Sequence, residues 1–178
     1  MSGALVYDDY FYLVKNNNIN NLTDTKSQIQ PSSVDLSLSY ECYEIQASFL
    51  SPKNKVRDKL KKVSIKKIDL NNAKIFKKNK IYLIRLNEKL NLNNLIKGHC
   101  NPKSTTGRLN IFCRTVLDYS DEYEKIPKNY KGEMFIEVTS RSFDIKLKKG
   151  DRLNQMRLVN QTNNYLNDID LYKIHKKN

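Results

Sequence analysis

The apolar residues of this chain fall in short runs, cut again and again by glycine, proline and asparagine, which leaves no material for a core of long helices. Ser33-Val34-Asp35-Leu36-Ser37-Leu38 alternates, with Val34, Leu36 and Leu38 on one face, and residues 41–48 continue as sheet. Ile81-Tyr82-Leu83-Ile84, Ile111-Phe112-Cys113 and Met134 to Val138 are further short buried runs. Phe143 to Leu147 alternates and ends at Lys148-Lys149-Gly150-Asp151, a hairpin signal before the returning segment 154–159. Helical signals are confined to two places. Asp8 and Asp9 ahead of Tyr10 to Lys15 predict a short capped helix, and Val56, Leu60 and Val63 fit a small helical insertion lying on the sheet. The pattern predicts an all-β jelly roll or barrel. One domain spans residues 1–178, with its core at 8–160 and a polar tail, 161–178, anchored by Leu166, Ile169, Leu171 and Tyr172.

Composition narrows the partners. Thirty-two Lys and Arg against 19 Asp and Glu give a net charge of +13, which draws polyanions, nucleotides included. The basic clusters at 53–67 and 74–80 contain one aromatic residue, Phe76, and so make a poor stacking platform for single strands. Neither nucleic acid nor a membrane is the expected partner. No apolar run reaches membrane-spanning length, and a cytoplasmic location is expected. Cys42, Cys100 and Cys113 are far apart and odd in number, which fits buried thiols rather than a disulfide framework. With His99 and His175 they form no familiar metal-site spacing.

Two segments carry chemistry. Lys103-Ser104-Thr105-Thr106-Gly107-Arg108 packs cations, hydroxyls and a glycine into one turn. Its backbone N–H groups and hydroxyls suit phosphate oxygens, Lys103 and Arg108 offset charge, and Gly107 permits close approach. The order is not that of a Walker A loop. An ordinary polar turn has the same composition, so both readings stand on the residues alone. Glu137, between Ile136 and Val138, is the second. It shares alternation parity with Glu133, so a solvent-facing residue and a pocket carboxylate serving as proton shuttle both fit. Arg108 is the candidate to hold or orient it.

Taken in order, residues 30–38 (QPSSVDLSL), 102–109 (PKSTTGRL), 132–137 (GEMFIE) and 150–155 (GDRLNQ) resemble the motifs of dCTP deaminases, members of the trimeric dUTPase-like superfamily. Ala47-Ser48-Phe49-Leu50, Asp58-Lys59-Leu60, Ile126-Pro127 and Tyr130-Lys131-Gly132 are similar to the first half of the long, two-domain, alphaproteobacterial form. The resemblance covers residues 8–160 and implies a dUTPase-like distorted jelly roll (β-clip). It implies hydrolysis of dCTP to dUTP and ammonia, a step of dUTP/dTTP biosynthesis. Glu137 then matches the glutamate that activates water for attack on C4 of cytosine, and Ser104 and Arg108 the residues that orient the water and polarise the base. Lys103, Ser104 and Thr105, with Thr106 and Gly107 in the same turn, match the phosphate loop. Gln155 matches a glutamine that touches nucleotide, and Phe135 and Ile136 the strand lining base and sugar. Mg2+ accompanies the triphosphate, no zinc is used, and a homotrimer or trimer-like assembly is implied.

The departures set the rivals. Pro127 stands where dUTPases carry the Asp that serves attack on the α-phosphate, and a proline supplies no carboxylate. This disfavours a dUTP diphosphatase. The segment from Asp118 to Lys125 is longer than in single-domain deaminases. Because the resemblance reaches only the first half of the long form, a non-catalytic nucleotide-binding or assembly half is the second alternative.

Overall fold

In the computed structural model, which describes residues 3–160 and 168–176, the chain forms two six-stranded antiparallel sheets and a small two-stranded one. The first sheet holds β1 (Gly3–Ala4), β3 (Ile29–Gln30), β4 (Ser33–Leu36), β9 (Ile96–Pro102), β11 (Lys125–Ile126) and β14 (Asn154–Asn160). Its order is β11-β9-β14-β4-β3, with β1 along β14. The second holds β2 (Ile19–Asn20), β5 (Leu38–Ile45), β6 (Ser64–Asp69), β8 (Ile81–Asn91), β10 (Ile111–Leu117) and β12 (Lys131–Ser140). Its order is β10-β12-β8-β5-β6, with β2 along β8. β7 (Lys74–Phe76) pairs with β13 (Ile145–Leu147). The helices are α1 (Tyr7–Lys15), α2 (Thr25–Gln28), α3 (Val56–Val63), α4 (Ser104–Arg108) and α5 (Asp168–His175). None is long and apolar enough to cross a membrane.

The expected all-β architecture is the one found, with the N-terminal helix and the helical insertion in place. Val34, Leu36, Cys100, Met156 and Leu158 of the first sheet pack against Cys42, Ile84, Leu86, Ile136 and Val138 of the second in one cluster. All three cysteines are free and buried. Asp9 caps α1 from within: its carboxylate accepts the Val6 N–H at 2.9 Å. Tyr10 is fully buried, and its hydroxyl accepts the Leu158 N–H at 2.9 Å, which ties α1 to β14.

Between β4 and β5 the chain passes from one sheet to the other at Ser37. Glu88, fully buried on β8, holds that corner. Its carboxylate accepts the Ser37 N–H (3.0 Å), the Ser37 hydroxyl (2.6 Å) and the Gln28 amide (2.6 Å). Gln28 in turn donates to the Asp35 carbonyl at 2.8 Å and accepts the Thr23 and Asp24 N–H groups through Oε1. A buried carboxylate is tolerable because its lone pairs are met in this way.

The other face of the second sheet is half covered. α3 lays Val56 and Leu60 on Ile45, Leu83, Val116 and Phe135. Arg57 pins the helix, donating to Glu41 at 2.8 and 3.0 Å and to Glu133 at 2.6 and 3.2 Å. These hydrogen bonds from Arg57 outweigh desolvation and hold the Glu41 carboxyl down at about 2.

The structure corrects the local reading in two places. Residues 148–151 do not close a hairpin between β13 and β14, because β13 pairs with β7 while β14 runs between β4 and β9. Gly150, at φ +90°, instead donates to the Leu38 carbonyl at 2.8 Å, and Lys149 to that of Leu70. The turn therefore hands the chain from the small sheet to the first sheet, a pairing that local turn chemistry cannot specify. Of the expected tail anchors, Ile169, Leu171 and Tyr172 lie exposed on α5, and Leu166 is outside the described residues.

Burial raises the Glu88 carboxyl above its ordinary range, against the hydrogen bonds from Ser37 and Gln28 that favour its charge. The folded state then holds a proton that the unfolded chain has released. This contribution to stability is full below the ordinary glutamate value and is lost as pH rises through the folded one. Urea melts across pH should show that decline, and Glu88→Gln should flatten it. Glu88→Ala, which strips acceptors from Ser37 and Gln28, should cost about 3 kcal/mol.

Candidate active site

Strand alternation decides how β12 is used. Met134, Ile136 and Val138 enter the core between the sheets, so Phe135, Glu137 and Thr139 share the opposite face. α3 covers that face at Phe135 and stops short of Glu137. The uncovered part is a hollow of about 450 Å³ lined by Ser48, Ile81, Phe112, Arg114, Glu137 and Arg141 among others.

Glu137 sits at its floor, 5% exposed. Arg114, its register partner across β10 and β12, donates to Oε1 from Nη2 at 2.5 Å and from Nε at 3.2 Å. Oε2 is buried and has no hydrogen-bond partner, the one such side-chain atom among the described residues. Leaving a buried acceptor unmet costs about 1–3 kcal/mol, and more when the group is charged. Such an acceptor in an otherwise satisfied fold marks a place for a donor from outside the chain, whether water, ion or ligand.

Arg114 is itself held on two further sides. Nη2 donates to the Ser48 hydroxyl at 3.1 Å, and the guanidinium lies 4.1 Å from the centre of the Tyr123 ring. Desolvation works against its charge, but the hydrogen bond and charge of Glu137 more than offset this and raise it, so Arg114 stays cationic. Burial, then the charge of Glu137, raises Tyr123, so its phenol stays neutral at ordinary pH.

The turn rich in hydroxyls lies elsewhere on the chain. It forms α4, one helical turn joining β9 of the first sheet to β10 of the second. Ser104, Thr105, Gly107 and Arg108 are exposed there. A Cβ at Gly107 would meet nothing within 4 Å, so the fold itself does not require glycine at this position. Thr106 differs: it is buried and donates to the Leu153 carbonyl at 3.1 Å. Lys103 pairs with the buried carboxylate of Asp35, the register partner of Gln155. The Gln155 side chain accepts the Ser33 hydroxyl at 3.4 Å.

The sequence-derived residues thus separate into two groups. Lys103, Ser104, Thr105, Arg108 and Gln155 gather where β14 and β9 meet α4, while Glu137 lies on the outer face of the second sheet. Neither Ser104 nor Arg108 bonds to Glu137 within the chain; the arginine beside it is Arg114. Phe112, 59% exposed, borders both the Glu137 hollow and a smaller one of about 230 Å³ that includes Gly107. Phe135 and Ile136 are fully buried and do not line the Glu137 hollow. Ile136 faces the core by alternation, and Phe135 is covered by α3 and the Arg57 guanidinium, 5.5 Å from its ring centre. Arg114 was legible had the run 111–113 been extended, since Arg114 then shares the face of Phe112 opposite the apolar Ile111 and Cys113. Volume does not locate chemistry: a larger hollow of about 600 Å³ at α1 has, among the described residues, Asp8, Asp9 and Tyr12 as its titratable lining groups. Among the described residues no group of three or more His, Cys, Asp or Glu is placed to hold a metal.

Residues 1–162 match the family described as the 2'-deoxycytidine 5'-triphosphate deaminase (DCD) N-terminal domain. Among solved structures, the 2'-deoxycytidine 5'-triphosphate deaminase from Agrobacterium tumefaciens is similar, with 32% identity and a TM-score of 0.92. The match covers 99% of this chain and 52% of that one, so the chain spans about half the length of that relative. A native dUTPase of EIAV aligns at 16% identity over 55% of this chain and 76% of its own, with a TM-score of 0.41, too low to bear on the argument. No curated protein matches the sequence.

Within the KSTTGR turn, structure and chemistry are separable by melting. Thr106→Val should lower stability by about 1 kcal/mol, because the Leu153 carbonyl loses one of its two donors and keeps only the Lys103 N–H. Ser104→Ala and Arg108→Ala, both at exposed positions, should stay within about 0.5 kcal/mol of the parent.

Proposed function

Because the chain belongs to the family of 2'-deoxycytidine 5'-triphosphate deaminase N-terminal domains, we propose that it hydrolyses dCTP to dUTP and ammonia, with Glu137 as the proton-transfer residue. The observation that carries this reading is the unpartnered, buried Oε2 of Glu137 at the floor of an open hollow. An acceptor so placed meets its requirement in a donor on the ligand. Water hydrogen-bonded to Oε2 gives up one proton as its oxygen attacks C4 of cytosine, and the carboxylic acid passes that proton to N3. The carboxylate then takes the proton of the new C4 hydroxyl and gives it to the amine, so that the C4 carbonyl forms as the C4–N bond breaks and ammonia leaves. Donors fixed in advance around the ring lower the barrier.

Ser104, Arg108 and the phosphate-binding role of Lys103, Ser104 and Thr105 enter this reading from a neighbouring copy. Their separation from Glu137 within one chain supports a site built between subunits, in a homotrimer or trimer-like assembly. Gln155, beside Lys103, belongs to the same nucleotide-binding edge. Mg2+ travels with the triphosphate, no step passes through a protein-bound metal such as zinc, and the enzyme works in the cytoplasm. A second reading, a half that binds nucleotide or supports an assembly without turnover, is favoured by one observation: Ser104 and Arg108 make no hydrogen bond to Glu137 within the chain.

One assay separates these. Each deoxynucleoside triphosphate is incubated with the protein and Mg2+, and ammonia and pyrophosphate are measured together. Deamination predicts ammonia from dCTP in step with dUTP and no pyrophosphate. Glu137→Gln should lower the rate by about 1,000-fold, within the range for loss of a positioned acid–base group. Nucleotide-dependent melting with no ammonia would establish the binding half instead, and pyrophosphate from dUTP would revive the diphosphatase.

A further inference from the structure

Two segments have no part in the reading so far: Ala47 to Leu50, and the long connection from Asp118 to Lys125. Each sends one side chain to the same place. Ser48 and Tyr123 both converge on Arg114. Resting on the deaminase reading above, we infer that Arg114 is the positioning residue for Glu137, a latch that commits Oε1 and leaves Oε2 as the oxygen that exchanges a proton with substrate.

A carboxylate is symmetric, and free rotation would present either oxygen to a ligand. Here Nη2 and Nε both converge on Oε1, at 2.5 and 3.2 Å, and no donor among the described residues serves Oε2. The guanidinium is a planar fork, so its direction matters as much as its charge. That direction is fixed from outside the pair. The Ser48 hydroxyl takes a second bond from Nη2, and the Tyr123 ring supports the plane at 4.1 Å, a cation–π contact. Arg114 is the more open partner, its side chain 42% exposed against 5% for Glu137. Its hydrogen bonds take up Oε1 and leave Oε2 as the carboxylate oxygen without a partner.

The geometry also accounts for the course of the 118–125 connection. Isolated bridging pairs Ser51 with Ser120, and Val56 N–H donates to Asp118 at 2.7 Å, so this connection is stitched to the segment that carries Ser48. The Ser120 hydroxyl donates to the Glu122 carbonyl at 2.9 Å and shapes the bend just ahead of Tyr123. From this bend the connection lays Tyr123 on Arg114.

Steady-state ammonia release from dCTP tests the latch in the full chain, with kcat and KM resolved separately. Arg114→Gln should lower kcat about 100-fold with KM changed less than about threefold, since the reacting oxygen loses its orientation while the substrate keeps its contacts. Millimolar guanidinium should restore kcat about tenfold, a rescue that a purely structural role would not give. Arg114→Lys should stay as impaired as Arg114→Gln, because an ammonium lacks the fork. Tyr123→Leu, which leaves both charges in place, should lower kcat about tenfold. The latch is overturned if Arg114→Gln retains kcat within about threefold of the parent, or melts like the parent yet gains nothing from guanidinium. Should Arg114→Gln fail to fold, Tyr123→Leu decides, and an unchanged kcat there overturns the proposal. A parent protein that binds dCTP but releases no ammonia sinks the deaminase reading and the latch together, whereas an active parent with an unimpaired Arg114→Gln sinks the latch alone.

Discussion

The carboxylate of Glu88 holds the point at which one continuous extended segment becomes part of two sheets. Ser37 breaks β4 from β5, and Glu88 is the acceptor for its N–H and its hydroxyl proton, while the hydroxyl oxygen accepts the Asn87 amide at 3.0 Å. The same carboxylate reaches Gln28, whose amide binds the backbone on either side of β3. Three connections, α2 to β3, β4 to β5 and β8 itself, thus meet on one buried side chain. The alignment of the two sheets, and with it the closed core of Val34, Leu36, Ile84 and Ile136, follows from that meeting.

The position of the site follows from what α3 does and does not cover. A β-sheet has two faces to account for, and the second sheet gives one to the main core. On the other face α3 reaches Phe135, Leu83 and Val116, fixed by Arg57 on Glu41 and Glu133. Two residues further along β12 the helix has ended, and Glu137 lies under Arg114 instead of under apolar side chains. Cover by an ion pair rather than by a helix keeps the carboxylate shielded yet reachable. It also explains why α4, which belongs to the seam between the sheets, does not close over Glu137 within its own chain.

Much of the strand architecture was legible because alternation is a local property. Val34, Leu36 and Leu38 are fully buried as their spacing required, and α1 and α3 lie where their patterns placed them. Pairing partners were not legible, and the Gly150 turn shows why: its residues suit a hairpin, yet β13 finds its partner in β7, some seventy positions upstream. The site divided along the same line. Glu137 was identified from motif order, but whether it faced water or a pocket was undecidable while Glu133 shared its parity. The answer lies in Arg114, which enters only through the register of β10 on β12. Thr106 looked equivalent to its neighbours in composition, yet it is buried and its hydroxyl adds a second donor to the Leu153 carbonyl, almost fifty residues away, beside the Lys103 N–H. Phe135 and Ile136, adjacent to Glu137 in sequence, were separated from the hollow by the pleat and by α3.

That Ile136 and Glu137 are neighbours on β12, one turned to the core and one to the hollow, has a bearing on quality control of the chain. A slip of one position along β8 and β10 would drive the charge into oil and put the isoleucine in water. Such a molecule would not persist as a compact, inert decoy; it would fail to fold. The placing of Glu137 and the integrity of the fold are therefore set by the same pleat, and any copy that folds turns that glutamate towards the hollow.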